Sequence, residues 1–343
     1  MRRITGVGLL LLVMAGTAAG KDLVVDAAGK GDFKTVQAAI DAVPAGNAEP
    51  VRIVILAGTY EERLTIPRDR PHITLAGQGK PEATVLTYHL KSSDPRPVPP
   101  GATTAPAGTV GTTGSASTTV NANDFTAENL TFANSAGDNV GQAVAIKTNG
   151  DRLVFKNCRF LGFQDTLYPA GGGRVYFKDC YITGDTDFIF GNATAVFDRC
   201  TINSTDAGYI TAANTPAATK IGYVFLDCTL TAPESVRAGS VFLGRPWQWE
   251  GNKPSVTFVR TKMGKHIAPA GWHPWDVARN TSPGEHSRYA EFGSMDLEGK
   301  PLDVSKRVAW SKQLTAEEAE SLTPAKVLAG SDGWNPVAAG GLP

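Results

Sequence analysis

The sequence has little charge, few aromatic residues and, beyond its first twenty positions, no long apolar run. Charged residues make up 19% of the 343 and aromatics 8%, and 33 basic side chains balance 33 acidic ones. A chain so balanced has no global basic field to draw it to nucleic acid. With no later stretch of about 18 consecutive apolar residues, the rest of the chain contains no membrane-spanning helix. Signature motifs are missing too: no G-x-S-x-G for a serine hydrolase, no H-E-x-x-H for a zinc protease and no phosphate-binding loop. Cysteine is scarce, at four residues, so a chain of this size does not depend on a disulfide framework.

What is present begins with a leader. Arg2 and Arg3 precede an apolar run from Val7 to Met14, and small residues follow at Ala18, Ala19 and Gly20. Residues 1–20 therefore read as a secretory signal, which places the mature protein outside the cytoplasm, in periplasm or medium, by the general or the twin-arginine route. Removing it leaves a small negative charge and no membrane segment. The remainder, residues 21–343, is rich in glycine (37 in the whole chain) and proline (22), as expected of one large domain of short strands and turns.

The four cysteines end four similar segments, RLVFKNC, RVYFKDC, AVFDRC and YVFLDC, at Cys158, Cys180, Cys200 and Cys228. Their separations are 22, 20 and 28 residues, and further short apolar strands start at Val51, His72, Asn129 and Ser255. Strands recurring about every 20 residues, with polar turns between them, predict an all-β fold, a right-handed parallel β-helix. A leucine-rich horseshoe has a similar period, but its leucine and asparagine consensus is missing. Near the start, Phe33, Val36, Ile40 and Val43 fall at helical spacing and Asp32 could cap them, so a short helix is expected to cover the open end of the first coil. Near the other end, Thr315 and Glu318 have capping-box spacing, and a helical segment interrupted near Pro324 is expected against the outside of the solenoid. From about 89 to 120 the chain is rich in proline, threonine, serine and glycine, which predicts a long loop bulging from the helix.

The same period places the chemistry. Asp165 and Asp187 are 22 residues apart, and so are Gln142 and Gln164. In stacked coils, equivalent positions lie about 4.8 Å apart, which puts the two carboxylates side by side with the amides next to them. The spacing also suits a turn-capping ladder. Apolar neighbours in DFIFG and FQDTLY would desolvate the carboxylates, and two that close cannot both ionise freely, so the pair can serve as acid and base. For the cysteines, two readings stand: an inward-facing ladder of small thiols, or a disulfide between Cys180 and Cys200, where adjacent coils would bring them close.

GQAVAIK, GFQDTLY, GDTDFIFGNA and LGRPW resemble, in this order, the signature blocks of the pectin methylesterase family. The resemblance continues through GTYEERLTI, YITA, GWHPW, YAEF and SDGWNP, over most of the mature chain. It implies hydrolysis of the methyl esters of polygalacturonate, with Asp187 as nucleophile, Asp165 as general acid and then base, Gln142 and Gln164 on the oxyanion, and Arg245 orienting Asp187. Tyr168, Phe190, Trp247 and Trp272 are the expected substrate-groove aromatics. No cofactor and no metal are implied; the expected partner is methyl-esterified homogalacturonan, and a solenoid with covered ends and a groove is compatible with a monomer. The sequence departs from the family pattern at Asn134–Gly137, at Ala213 after YITA, and in the composition of the long loop. A calcium-dependent lyase built on Asp165, Asp185 and Asp187 is the rival reading, although Gln164 and Arg245 suit an anion better than an oxygen cage for calcium.

Overall fold

The structure is a computed structural model that describes residues 22–98, 101, 103–247, 251–276 and 286–338; the leader read at 1–20 lies outside the described residues. Short strands pair in parallel with the strand one coil away and wind into a right-handed parallel β-helix. The four cysteine-ended segments are successive strands of one long sheet, Leu153–Lys156, Arg174–Lys178, Thr194–Asp198 and Tyr223–Leu226. Their register stacks Phe155, Phe177, Phe197, Phe225 and Phe258 in one column inside the helix. Ring centroids in that column are 5.1, 4.7, 4.4 and 4.3 Å apart and the planes nearly parallel. Offset stacking of this kind adds about 0.5–1.5 kcal/mol per pair beyond area burial, so the repeat is held by identical side chains meeting themselves.

The residue before each cysteine turns the corner between two sheets. Asn157, Asp179, Arg199 and Asp227, with Asn129 and Arg260 in the flanking coils, have φ between 49° and 55°. Asn and Asp tolerate this left-handed conformation better than other side chains. The two arginines are tied to the aspartate one coil below: Arg199 to Asp179 at 3.1 Å and Arg260 to Asp227 at 2.7 Å.

Inside the corner lie the thiols, and here one alternative drops out. All four cysteines are free and buried, and no Cys180–Cys200 bond exists. In-register neighbours on parallel coils point the same way instead of converging, as a disulfide requires. Each thiol donates instead to the carbonyl of a residue one coil below, Cys180 to Phe155 at 3.5 Å and Cys228 to Phe197 at 3.2 Å. Burial pushes the Cys158 thiol up to about 12, where it is an inert core group.

The N-terminal helix is present but starts later than its apolar spacing indicates. It spans Val36–Ala42, is capped by Thr35 and not Asp32, and leaves Phe33 and Val43 outside. Phe33 bridges Val25 as β structure, and Asp32 instead accepts the Val24 N–H at 3.0 Å. The deciding group comes from another coil: the Glu62 carboxylate accepts the free N–H groups of Val36 and Gln37 at 2.8 and 3.0 Å. At the C-terminal end the capping box of Thr315 and Glu318 is formed. Helices Ala316–Glu320 and Pro324–Leu328 follow, and Ala319, Val327 and Leu328 pack on Tyr176, Val196 and Val224 outside the solenoid. The long loop is shorter than its composition indicates, because Gly111–Gly114 forms a helical turn and Thr118–Val120 is a strand of the next coil.

Near the last coil, fully buried Glu291 accepts from Arg307 at 2.7 and 3.3 Å, from Ser294 at 2.6 Å and from Gln313 at 2.9 Å. Removing the cation would leave that carboxylate buried with only neutral donors. Arg307→Ala is therefore expected to cost about 3–5 kcal/mol, seen as a lower urea midpoint; an unchanged midpoint would show that the bonds from Ser294 and Gln313 hold Glu291 without the arginine.

Candidate active site

Two long strands, Tyr181–Gly191 and Thr201–Ala213, run through the bend between two faces of the solenoid. Their mutual register slips between Gly184 and Thr186 and again between Thr186 and Ile189. Bulges of this sort re-aim side chains, and Asp187 sits inside this one. Gly184 permits it: a Cβ there would collide with Phe188 and with the Phe163 carbonyl.

Asp165 occupies the equivalent place one coil earlier, its N–H donating to the Thr186 carbonyl at 3.1 Å. Both aspartates are in the left-handed region, φ +65° for Asp165 and +51° for Asp187, and both are nearly buried, 7% and 5% exposed. Gln142 and Gln164 are matched in the same way, since Ala143 N–H donates to the Gln164 carbonyl at 3.1 Å. The 22-residue offset becomes 21 just afterwards, where the N–H groups of Ala145 and Ile146 share the Thr166 carbonyl. All four side chains line one open cavity of about 570 Å³.

Arg245 closes the arrangement. Its Nε and Nη2 donate to Asp187 Oδ1 and Oδ2 at 2.9 and 2.7 Å, a bidentate pair. The guanidinium lies 4.0 Å from the Tyr209 ring centroid and 4.5 Å from that of Trp275, held between two aromatic faces. Gly244 lets this strand approach Thr211, whose hydroxyl a Cβ would strike.

The two carboxylates are perturbed unequally. Burial, then the Asp187 charge, raises the pKa of Asp165 well above the usual carboxylate value, and no hydrogen-bond donor among the described residues reaches it. Burial also raises Asp187, but the Arg245 hydrogen bonds and charge oppose that rise. The geometry thus favours a proton on Asp165 and a charge on Asp187.

The aromatics are placed with one exception. Tyr168 and Phe190 stack at 4.1 Å, and Trp247 lies 6.2 Å from Phe190, all lining the cavity. Trp272 does not: it is 1% exposed and packs inside the solenoid against Tyr289 and Phe258. The tryptophan of GWHPW that lines the cavity is the second, Trp275, 6.3 Å from Trp247. Also unforeseen were Tyr209 beneath Arg245 and residues 110–113 on the cavity wall, the latter inside the long loop already noted for its composition. Asp185 faces a separate cavity of about 140 Å³ with Asn139 and Asp206. The three aspartates of the lyase reading therefore do not share one cavity, and both oxygens of Asp187 are engaged by Arg245. Among the described residues no group of three or more His, Cys, Asp or Glu converges as a metal site.

Comparison with known proteins decides the family: the model described as Pectinesterase matches residues 22–331. The chain belongs to the pectinesterase family. It is similar to Pectinesterase 31 of Arabidopsis thaliana, 41% identical over 292 residues that cover 85% of this chain and 87% of that one. Among solved structures, pectin methylesterase from carrot superposes with a TM-score of 0.80 at 28% identity, covering 96% of this chain and 99% of that one. A pectin methylesterase in complex with a hexasaccharide gives a TM-score of 0.74 at 31% identity, covering 95% and 100%. The resemblance read from the sequence blocks is thereby borne out, and the pectinesterase fold is the frame in which the cavity lies.

Proposed function

We propose that this chain removes methyl groups from pectin by covalent catalysis at Asp187. The activity follows from its family and from likeness to solved pectin methylesterases, one of them holding an oligosaccharide. The observation that carries the mechanism is the pair of buried aspartates on neighbouring coils, one clamped by arginine and the other without a donor among the described residues.

In this reading an Asp187 oxygen attacks the ester carbonyl carbon. The carbonyl electrons move to its oxygen, and N–H groups of Gln142 and Gln164 stabilise that anion; an amide can donate without competing for protons. Collapse breaks the bond to the methoxy oxygen, which takes the proton held by Asp165 and leaves as methanol. Asp165, now ionised, accepts a proton from water, and the hydroxide attacks the acyl carbon. This releases Asp187 as a carboxylate and the sugar as its carboxylic acid, which gives its proton to solvent. Arg245 holds Asp187 ionised before the attack and receives the carboxylate again when it is released; its guanidinium cannot lose its own proton in doing so.

Tyr168, Phe190, Trp247 and Trp275 offer apolar faces against which sugar rings can pack. The substrate is methyl-esterified homogalacturonan. Export through the leader at 1–20, a single domain over 21–343, action as a monomer, and no nucleic-acid or membrane partner complete the proposal. Among the described residues no helix is long and apolar enough to cross a membrane.

The test is methanol release from highly methylated pectin by the purified protein, with and without EDTA. Equal release in both is expected. Unsaturated product that needs Ca²⁺, or no methanol, would overturn the esterase reading.

A further inference from the structure

We propose that Ser92, in the long proline- and threonine-rich loop, is a positioning residue that sets which end of the Gln142 amide faces the cavity. The inference rests on the oxyanion role proposed for Gln142 and extends it to a segment outside the signature blocks.

The Ser92 hydroxyl donates to Gln142 Oε1 at 2.7 Å. The Ser92 N–H donates to the Gln142 backbone carbonyl at 2.8 Å, so the loop is fixed to this residue by two bonds. The Ser92 carbonyl accepts the Gly111 N–H at 3.0 Å, which joins the loop's start to the turn whose residues 110–113 line the cavity. Beneath them, nearly buried Asn134 donates to the carbonyls of Leu90, Ser115 and Val144 at 2.9, 3.2 and 3.1 Å. Ser92 is therefore held in place on its own account.

The consequence is chemical. The terminal torsion of a glutamine is broad and roughly two-fold, so nothing in the side chain itself decides which of oxygen and nitrogen faces a given direction. One orientation offers two N–H donors to the cavity; the other offers an acceptor, which would repel a developing oxyanion. With Oε1 engaged by Ser92, the group left for the cavity is the NH₂. Such an effect acts on the transition state and leaves ground-state binding largely untouched, so it belongs in kcat.

The test compares Ser92→Ala, Ser92→Thr, Gln142→Ala and the Ser92→Ala/Gln142→Ala double variant for kcat, KM and Tm. Ser92→Ala should lower kcat about tenfold with KM unchanged, the scale of one net hydrogen bond expressed as a rate. Ser92→Thr, which keeps the hydroxyl, should restore the rate, and the double variant should be no slower than Gln142→Ala alone. Unchanged kcat in Ser92→Ala, or an additive loss in the double variant, would overturn the proposal. A raised KM with a lowered Tm would do the same, because it would mark a general loosening of the loop. If Gln142→Ala itself keeps full activity, the oxyanion reading fails, and this inference fails with it by a separate route.

Discussion

Asp187→Ala is expected to release methanol from pectin on the order of 10⁴- to 10⁶-fold more slowly than the wild type, the range seen when members of other covalent-catalytic units are removed. Alanine leaves neither an attacking oxygen nor its carboxylate for Arg245, and among the described residues no other carboxylate is placed to take over. Asp165 lacks an arginine clamp and favours its protonated form, and Asp185 faces another cavity. The fold should survive, because the aspartate lies in a bulge on the cavity wall and not in the apolar core, and Arg245 stays between Tyr209 and Trp275. Single-turnover kinetics beside a circular-dichroism melt would separate lost chemistry from lost structure. Activity within tenfold of wild type would remove Asp187 from the nucleophile's place.

Asp165→Asn should have two effects of opposite kind. As loss of a general acid and base, it should lower kcat by about 10²- to 10⁴-fold. It should also raise Tm at neutral pH. The folded protein holds the Asp165 proton to higher pH than the unfolded chain does, because burial and the Asp187 charge disfavour ionisation. Below the unfolded carboxylate value of about 3.9 the group is protonated in both states and carries no penalty. As pH rises from there through the raised folded value, the unfolded chain ionises first and the native state loses relative stability. Asparagine cannot ionise, so its advantage should appear over that window, persist above it and vanish below about pH 4. Thermal melts of both proteins across pH would show it; a variant less stable than wild type at pH 7 would mean that the carboxylate is satisfied in a way the geometry does not show. The trade is the common one in which a reactive site is held at the expense of stability.

Much of this was legible because a parallel solenoid repeats its environment at a nearly constant interval. The separation of Asp165 from Asp187 and of Gln142 from Gln164 equals one coil, and parallel pairing carries that interval into adjacency. The Thr315 capping box was equally readable, since both partners lie within one turn. Other features were decided by groups remote in the chain. The N-terminal helix begins at Val36 because Glu62, from another coil, binds its first N–H groups. The thiols of Cys180 and Cys200 are adjacent yet unbonded because their side chains run parallel.

The tryptophans show the limit most clearly. Trp272 and Trp275 belong to one block, and nothing in their spacing says which turns inward. Trp272 bridges Gly244 and fills the core, whereas Trp275 lies over the guanidinium of Arg245. The sequence alone determined the period, and with it the coil, the level along the axis and the pairing of the two aspartates and two glutamines that line the cavity. Tertiary structure decided which way side chains point at the irregular corners, and brought Ser92, Tyr209 and Trp275 to the site. Periodicity transmits position along the helix axis through repeated backbone hydrogen bonds, but a corner's direction depends on what packs across it, and that is not written in the local spacing.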